Sequence, residues 1–407
     1  MDRLHNPFTP GAGSLPPELA GRSLVIEDGR VLAGRTLMGR YEKSLLLIGL
    51  RGVGKTVLLK HLAESARQNG VLPIQVEVRN AKSDMEELTL RLREALSELD
   101  YAEKAKAQIH HAFSVLRNFV KSFSINIGDF GIAIEATAGV ATSGKMELDL
   151  SEVLIAVAKA AKSANRAIGL YIDELQNLEL EAMRGIIVAI HQSAQNALPL
   201  YLVGSGLPSI RGLVGKSKTY AERMFNYADI GALSEPDVDA AITIPLNEKG
   251  LDIEREAIHV IYEQTCGYPY FLQEYGYQLW LSAQEKLITK ADVDAIVDCV
   301  KRRLDVNFFD VRFDRVSNQE RRFLRAMADE EGAESVPVAD VAARLNRTLS
   351  SISPIRSSLI RKGMLYSPSH GRVAYTVPLF GDYIKRVVEV GGIKGTDPSG
   401  GDGDALP

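Results

Sequence analysis

Cysteine is almost absent from this chain, which has only Cys266 and Cys299 among its 407 residues. Because neither cysteine lies in a C-x-x-C pair, the sequence excludes a disulfide framework and a four-ligand zinc site. We expect both cysteine side chains to be buried or half-buried.

Long apolar runs are also missing. The longest, Leu45–Leu50 and Ile186–Ile190, are far shorter than the roughly 18 residues that a membrane-spanning helix needs. The first residues, MDRLHNPFTPGAG, lack the basic segment and apolar core of a secretory signal. The sequence therefore predicts a cytoplasmic protein with no membrane partner.

No excess of positive charge marks the chain as a whole. Lys and Arg number 48 against 52 Asp and Glu, so the net charge is −4 and any nucleic-acid surface must be local. Hydrophobic residues make up 45% and charged residues 25%, as in ordinary globular proteins. The length is about 2.7 times an average domain of about 150 residues, which predicts two or three globular units.

Short apolar runs alternate with helical patterns in the first half of the chain. Such a series predicts an α/β domain with a parallel sheet, which we place at residues 44–232. The four predicted buried strands are Leu45–Leu50, Pro73–Val78, Ala167–Ile172 and Leu198–Val203. Residues 1–43, rich in Gly, Pro and short polar residues, predict an extended N-terminal arm that lies on the next domain.

A long insertion, about residues 83–147, separates the second and third predicted strands. Its capping box Ser83-Asp-Met-Glu86 predicts the start of a helix, and a second helical pattern covers about 103–121. Apolar residues then alternate over 124–135, on both sides of a Gly-Asp pair, which predicts a β-hairpin. The hairpin either extends the sheet edge or contacts a protein partner or DNA.

The segment Gly49-Leu50-Arg51-Gly52-Val53-Gly54-Lys55-Thr56 fits the pattern G-x-x-x-x-G-K-[ST] between a predicted strand and a predicted helix. Glycines there let backbone N–H groups converge on phosphates, and the helix N-terminus adds positive partial charge. The sequence therefore predicts a nucleotide site. In it, Lys55 neutralises the β- and γ-phosphates and Thr56 holds Mg²⁺.

Two carboxylates follow the third predicted strand. Asp173 and Glu174 fall at the carboxyl edge of the sheet, where the ligand sites of α/β proteins form. We assign Asp173 to Mg²⁺ and Glu174 to the general base that orients the attacking water. The pair favours hydrolysis of ATP to ADP over phosphoryl transfer to a small substrate.

With these two motifs the sequence resembles the additional-strand P-loop ATPases, in the AAA+/STAND branch that includes bacterial and archaeal origin-recognition-like ATPases. The resemblance covers residues ~15–390 and implies a P-loop domain, a helical lid and a C-terminal winged helix. It implies that Gly21 and Arg22 seat the adenine and that Ser205 senses the γ-phosphate. It further implies that Arg223 acts on the nucleotide of a neighbouring subunit, in a homo-oligomer.

The predicted lid, residues 233–305, departs from the origin-recognition-like pattern. Those lids carry an arginine in a Gly-x-x-Arg helix start, whereas here Gly267 is followed by Pro269, and Tyr270 takes the place of the arginine. The Gly-x-Pro pattern is similar to STAND and archaeal-type ATPases, and we assign Pro269 to the nucleotide site. Without a lid arginine we expect slow hydrolysis.

Residues 306–390 predict a linking helix and a helix-turn-helix with a two-stranded wing, and the Gly-rich residues 391–407 predict a disordered tail. The predicted helices start with the capping box at Ser317. The turn lies at 346–348, and Pro354 places the start of the next helix at about 351–353. The wing strands are predicted at 364–367 and 372–377.

This C-terminal region contains no Asp or Glu between Val341 and Gly381. We predict that the acid-free window binds double-stranded DNA, with Arg356 reading a base edge. Phosphate contacts are assigned to Arg347, Lys362 and Arg372. The other candidate DNA-binding residues are Ser353, Ser357, Arg361 and His370.

The sequence thus predicts an ATP-binding and ATP-hydrolysing switch that binds DNA through a winged helix. The alternative is a STAND-like signalling or defence ATPase, in which the winged helix is an autoinhibitory module that contacts protein. A P-loop metabolic kinase is disfavoured because no residue set for a small acceptor is present.

Overall fold

The computed structural model describes residues 2–11, 13–79, 81–99, 105–125, 140–329 and 335–391. The chain divides into two compact units, residues 1–294 and 295–407. The predicted hairpin, apart from residues 124 and 125, lies outside the described residues, as does the predicted tail from residue 392 onward. None of the helices in the described parts of the chain combines the length and apolar character of a membrane span.

Five parallel strands form the sheet of the first unit: β1 (Ser44–Ile48), β2 (Val71–Glu77), β3 (Ala167–Asp173), β4 (Leu200–Gly206) and β5 (Phe225–Asp229). Their order is β2-β3-β4-β1-β5, so β4 lies between β1 and β3. Ile48 pairs with Gly206, and Ile172 pairs with Gly204. The carboxyl ends of β1, β3 and β4 therefore meet at one edge of the sheet, where open α/β sheets bind ligands.

The predicted α/β class and parallel sheet are confirmed, with all four predicted strands present. Strand β5 is not evident from the sequence. It pairs with β1 at the edge of the sheet, and only its first residue, Phe225, is buried. A short edge strand with half-exposed residues lacks the continuous apolar run that marks the central strands.

Helix α1 (Ser23–Leu37) corrects the prediction that residues 1–43 form an extended arm. Its glycines resemble helix breakers in the sequence, but Gly29 has a packing role. A Cβ at Gly29 would lie 2.6 Å from Cδ2 of Leu62, in α2 (Lys55–Gln68). The missing side chain thus lets the two helices approach closely.

Helices cover both faces of the sheet. Helices α1 and α2 contact one face, and an apolar cluster formed largely by the helices from α3 to α6 packs on the other. The helices after β2 are α3 (Ala81–Leu99), α4 (Lys106–Ser122), α5 (Met146–Ser163), α6 (Leu180–Gln195) and α7 (Ile210–Ser217). Helix α3 begins two residues before Ser83, so the predicted capping box does not mark its start.

Helices follow β5: α8 (Glu235–Asn247), α9 (Arg255–Thr265), α10 (Pro269–Ser282) and α11 (Lys290–Leu304). Two short parallel strands, β6 (Asp252–Ile253) and β7 (Leu287–Ile288), pair among them. Ser234 caps α8, since its side chain accepts the N–H of Asp237 and the Asp237 carboxylate accepts the N–H of Ser234. The boundary between the two units falls inside α11.

Both cysteines are exposed, so the expectation that they are buried or half-buried is wrong. Cys266 follows the last residue of α9 and adopts a left-handed conformation with φ of 49°. The next residue is Gly267, whose Cβ would lie 2.0 Å from the carbonyl oxygen of Leu233. The reversal of the chain after α9 turns the Cys266 side chain toward solvent.

Residues 2–9, here termed the N-terminal strap, lie along α10. Trp280 Nε1 donates to the carbonyl oxygen of Asp2 at 2.7 Å, and Asn6 Nδ2 donates to that of Tyr277 at 3.1 Å. Phe8 is only 1% exposed, because it packs on Gly276, where a Cβ would lie 2.4 Å from the Phe8 ring. This part of the predicted arm therefore covers a helix that follows the sheet domain in sequence.

The second unit contains a π-helical turn at 305–310, α12 (Val311–Phe313), α13 (Asn318–Ala328), α14 (Val338–Arg344), α15 (Leu349–Arg361) and α16 (Phe380–Gly391). A three-stranded antiparallel sheet has the order β8-β10-β9, with β8 (Val336–Pro337), β9 (Leu365–Tyr366) and β10 (Arg372–Tyr375). The aromatic core includes the rings of Phe309 and Tyr383, stacked with centroids 5.1 Å apart. The predicted capping box at Ser317 is confirmed.

Two details of the second unit differ from the predicted pattern. Helix α15 begins at Leu349, with Thr348 as its cap, so Pro354 lies inside the helix and not in its first turn. The Thr348 side chain accepts the N–H of Ser351, and this cap sets the start of the helix. Strand β8 adds a third strand to the predicted pair. With two residues it is too short to show alternation in the sequence.

Candidate nucleotide-binding site

The loop between β1 and α2 forms a P-loop. Gly52 and Gly54 have φ of 80° and 92°, a conformation that glycine adopts without strain. Gly49 leaves room for a neighbouring strand end, because a Cβ there would lie 2.0 Å from the carbonyl oxygen of Ile230. Helix α2 starts at Lys55, so its free N–H groups and positive partial charge face the loop.

Lys55 is held inside this loop. Its Nζ donates to the carbonyl oxygen of Leu50 at 2.6 Å, and the residue is 6% exposed. Burial lowers the pKa of the Lys55 amine to about 8, although the carboxylates of Glu174 and Asp173 act in the opposite direction. Among the described residues this carbonyl is the one hydrogen-bond partner of the amine, and a buried cation so placed suits phosphate oxygens.

Asp173, at the end of β3, is hydrogen-bonded to the end of β4 and to the first turn of α2. Its Oδ2 accepts from the Thr56 hydroxyl at 2.6 Å, and its Oδ1 accepts from the Ser205 hydroxyl. The backbone N–H of Glu174 also donates to Oδ1, at 2.9 Å. A carboxylate beside the P-loop hydroxyl is a donor set that suits Mg²⁺, which binds few protein oxygens and keeps several waters. Thr56 and Asp173 therefore fit the metal role predicted from the sequence.

Glu174 lies directly after β3, in a left-handed conformation with φ of 52°. Such backbone costs a non-glycine residue about 1–2 kcal/mol, so surrounding contacts must maintain it. Gln176 provides one, since its Nε2 donates to Glu174 Oε2 at 2.5 Å. Sequence reasoning missed Gln176. Its spacing of two residues from Glu174 is the signal that points to it.

Residues 38–213 match the family described as an AAA domain, and this segment contains the P-loop, Asp173, Glu174 and Ser205. This segment of the chain is therefore similar to AAA domains. Residues 306–384 match a domain of unknown function (DUF8462). No curated protein matches the sequence. The predicted recognition of an AAA+ P-loop ATPase is confirmed.

Solved structures share this fold. A Walker-type ATPase of Pyrococcus abyssi matches with a TM-score of 0.53 and 15% identity, over 88% of this chain and 95% of that chain. The ORC2 protein of Aeropyrum pernix, in its ADP form, matches with a TM-score of 0.51 and 14% identity, over 96% of this chain and 98% of that chain. At these identities the similarity shows the fold alone.

Arg22, assigned to the adenine site with Gly21, hydrogen-bonds to the backbone of the P-loop. Its Nη2 donates to the carbonyl oxygens of Gly231 at 2.6 Å and Val53 at 3.3 Å. Burial lowers the pKa of the Arg22 guanidinium, and the charge of Asp237 partly opposes this. Both hydrogen bonds go to backbone, so Arg22 connects the P-loop to the segment that follows β5.

Helix α10 brings an aromatic residue onto the P-loop. Pro269 is the first residue of α10, and the preceding Tyr268 is 2% exposed. A Cβ at Gly52 would lie 2.6 Å from the Tyr268 hydroxyl. Pro269 thus starts α10, and the side chain of the residue before it, Tyr268, packs on the P-loop. Tyr268 was not predicted, because no local pattern reveals a contact across more than 200 residues.

Arg223 lies far from the P-loop of its own AAA domain. It is exposed and precedes β5, whose first residue pairs with Ser44 at the start of β1. The P-loop follows the other end of β1, on the order of 13 Å away at about 3.3 Å per strand residue. Within the described ranges the Arg223 guanidinium has no hydrogen bond or ion pair. It lines a surface cavity of about 400 Å³ with Tyr41, His191, Ala194, Gln195, Tyr220 and Met224.

Three of the assigned DNA-binding residues make contacts inside the second unit. Lys362 Nζ donates to Glu320 Oε2 at 2.7 Å, and Arg372 Nε donates to the Ser335 hydroxyl at 2.7 Å. Arg356 Nη2 donates to the Ser367 hydroxyl at 2.8 Å. These side chains hold helices and strands together in the described structure.

The other five assigned DNA-binding residues are exposed. They are Arg347, Ser353, Ser357, Arg361 and His370. Of the cations, Arg347 lies in the turn before α15 and Arg361 at the last position of α15. Neither has a hydrogen bond or ion pair from its side chain in the described parts of the chain. The available positive charge therefore lies at the two ends of α15.

Proposed function

We propose that the protein is a molecular switch that binds and slowly hydrolyses ATP with Mg²⁺ in its AAA domain and binds duplex DNA through residues 306–390. We assign the ATPase domain to 44–232 and the lid to 233–305. The observation that carries the proposal is the hydrogen-bonded set of Thr56, Asp173 and Ser205 beside the buried Lys55 amine. The ends of β3 and β4 and the start of α2 bring these groups together, and we assign the γ-phosphate of ATP to this point.

Each residue of this set has a distinct part in hydrolysis. The Lys55 amine exchanges the Leu50 carbonyl for phosphate oxygens, and the Ser205 hydroxyl turns its proton from Asp173 to the γ-phosphate. Mg²⁺, held by Thr56 and Asp173, would supply charge neutralisation at the β- and γ-phosphates. Glu174 accepts a proton from the water that attacks the γ-phosphorus. The bond to the β-phosphate then breaks, which releases ADP.

Further contacts to the nucleotide come from outside this set. The backbone N–H groups of the P-loop bind phosphate, and we assign Gly21, Arg22 and Pro269 to the adenine end of the nucleotide. Arg223, exposed at the opposite edge of the sheet, suits the nucleotide of a second copy in a homo-oligomer, because a planar guanidinium stabilises transition-state phosphate charge. Slow turnover follows from Tyr270, which stands where a lid arginine is expected.

Support for DNA binding comes from helix α15. The window from Val341 to Gly381 has no carboxylate, and Arg347 and Arg361 are free at the ends of the helix, with Ser353 and Ser357 exposed between them. Cations and hydroxyls on one exposed helix fit the pattern of phosphate contacts in a groove. The internal contacts of Lys362 and Arg372 reduce the expected number of phosphate contacts.

ATP hydrolysis is tested with the purified full chain and radiolabelled ATP, with and without Mg²⁺. We expect turnover that is lost in Glu174→Gln, a variant that retains ATP binding. Lys55→Ala loses binding itself. The matched control is Lys60→Ala, an exposed lysine on the same helix. Retained turnover in Glu174→Gln would refute the assignment of the general base.

DNA binding is tested by fluorescence anisotropy with random duplex DNA at several salt concentrations, in the presence of ADP or a non-hydrolysable ATP analogue. Removing one phosphate contact lowers the slope of log K against log salt by about 1, so we expect a decrease of about 2 in the Arg347→Ala/Arg361→Ala double variant. The control is a second double variant, Lys301→Ala/Arg302→Ala on α11, which removes two positive charges outside the acid-free window. Absence of binding in every state would favour the STAND-like alternative.

A further inference from the structure

A short turn follows Asp173 and Glu174, and its first and last residues are held in place by the surrounding structure. Residues Leu175–Asn177 form a 3₁₀ turn. Leu175 is fully buried, and Asn177 Nδ2 donates to the carbonyl oxygen of Val78 at 3.2 Å. Because its neighbours are anchored in the core and next to β2, Gln176 in the middle of the turn has a defined position.

Both ends of the Gln176 amide are engaged. Its Nε2 donates to Glu174 Oε2 at 2.5 Å, and its Oε1 accepts the N–H of Leu207 at 2.9 Å. The reversed amide would place an oxygen against the carboxylate and an NH₂ group against an N–H, so only one orientation satisfies both partners. Gln176 therefore connects the Glu174 side chain to the backbone just after β4.

The end of β4 leaves room for this connection. A Cβ at Gly206 would lie 2.1 Å from Gln176 Oε1, so a larger residue there would displace the amide. The preceding residue, Ser205, donates to Asp173. The end of β4 thus contacts both carboxylates, Asp173 directly and Glu174 through Gln176.

We propose that Gln176 is a positioning residue for ATP hydrolysis. Its amide holds Oε2 of Glu174 and leaves Oε1, which has no hydrogen-bond partner among the described residues, to accept the proton of the attacking water. This inference rests on the proposed function, because it takes Glu174 as the general base.

Gln176→Leu tests the position of the base, since it removes both hydrogen bonds. Misplacement of a catalytic group by about 1 Å lowers the rate by up to about 100-fold, so we expect kcat to fall by about 10- to 100-fold. KM and the Kd of ATP stay at wild-type values, because Gln176 bonds to Glu174 and Leu207 and not to the P-loop. The control is Asn177→Ala, which loosens the same turn without touching Glu174.

Gln176→Glu gives a second readout that a merely structural role would not move. The variant keeps its shape and an acceptor for Leu207, but it brings a second carboxylate to Glu174. That carboxylate cannot donate to Glu174 and repels it, so we expect kcat to fall about as far as in Gln176→Leu while KM stays at the wild-type value. Wild-type kcat in Gln176→Glu contradicts the proposal.

The outcomes separate the two levels of inference. If wild-type turnover depends on Glu174 but Gln176→Leu keeps wild-type kcat, the role of Gln176 is overturned and the proposed function stands. Equal losses in Gln176→Leu and Asn177→Ala would show that only the integrity of the turn matters, which also overturns it. If the wild-type protein shows no Glu174-dependent turnover, the proposed function fails as well.

Discussion

The buried Lys55 amine makes the nucleotide-free protein less stable than it would be without this charge. Its pKa of about 8, against 10.5 in water, corresponds to a shift of about 2.5 units or about 3 kcal/mol at neutral pH. Substitution by methionine, which has a similar length and no charge, removes this cost. It also removes the hydrogen bond to Leu50, a loss of about 1 kcal/mol. We therefore expect Lys55→Met to raise the free energy of unfolding by about 2 kcal/mol.

The pH dependence gives the sign of the effect. Between pH 8 and 10.5 the unfolded chain keeps a proton on Lys55 that the folded protein has lost, so the wild-type protein gains stability as the pH rises, by up to about 1.4 kcal/mol per unit. Lys55→Met has no such gain. The difference in the free energy of unfolding between Lys55→Met and the wild type should thus be largest at pH 7 and shrink toward pH 10.

Urea denaturation without nucleotide, followed by tryptophan fluorescence, measures this difference. Trp280 is the only tryptophan and lies in the first unit, so the transition reports the unit that contains Lys55. Lys60→Met, an exposed lysine on the same helix, should change stability by no more than about 0.5 kcal/mol. A Lys55→Met protein that unfolds at lower urea than wild type, or a difference unchanged between pH 7 and pH 10, would refute the reasoning.

Two further predictions concern other parts of the chain. Burial alone would raise the pKa of Glu320, but Lys362 and groups of Ser317 and Ser358 lower it to about 2. Glu320→Gln should therefore destabilise the second unit by about 2 kcal/mol at pH 7, and the difference from wild type, measured by thermal unfolding, should disappear as the pH falls from 4.5 toward 2. Phe8→Ala should release the N-terminal strap and expose Trp280, which a red shift of the fluorescence detects. Leu4→Ala, at a position that is 89% exposed, is the control and should leave the spectrum unchanged.

The parts of the site that the sequence reveals are those that a local pattern determines. Eight consecutive residues specify the P-loop, and the strand before Asp173 indicates the edge at which that carboxylate lies. The spacing of two residues points to the contact of Gln176 with Glu174, but its second contact could not be assigned in this way, because Leu207 lies 31 positions further along the chain. A contact between two strand ends depends on the order of the strands, which no short pattern contains.

The same limit explains the assignments on the second unit. Lys362 and Arg372 stand in a window without acidic residues and therefore indicate a nucleic-acid surface. Their partners, Glu320 and Ser335, lie 42 and 37 positions earlier, outside that window. Local charge predicts the sign of a surface but not which cations already have hydrogen-bond partners inside the fold. Arg347 and Arg361 lack such partners in the described structure, and they remain the strongest candidates for phosphate contacts.

The N-terminal strap has a consequence for synthesis of the protein. Phe8 packs on Gly276, which leaves the ribosome 268 residues later. At about 5–20 residues per second this separation lasts roughly 13–54 s, during which the Phe8 ring has no surface to cover it. The sheet can assemble in that interval, but the strap can dock only after α10 has been made. Residues near the start of the chain thus complete the folding of the first unit.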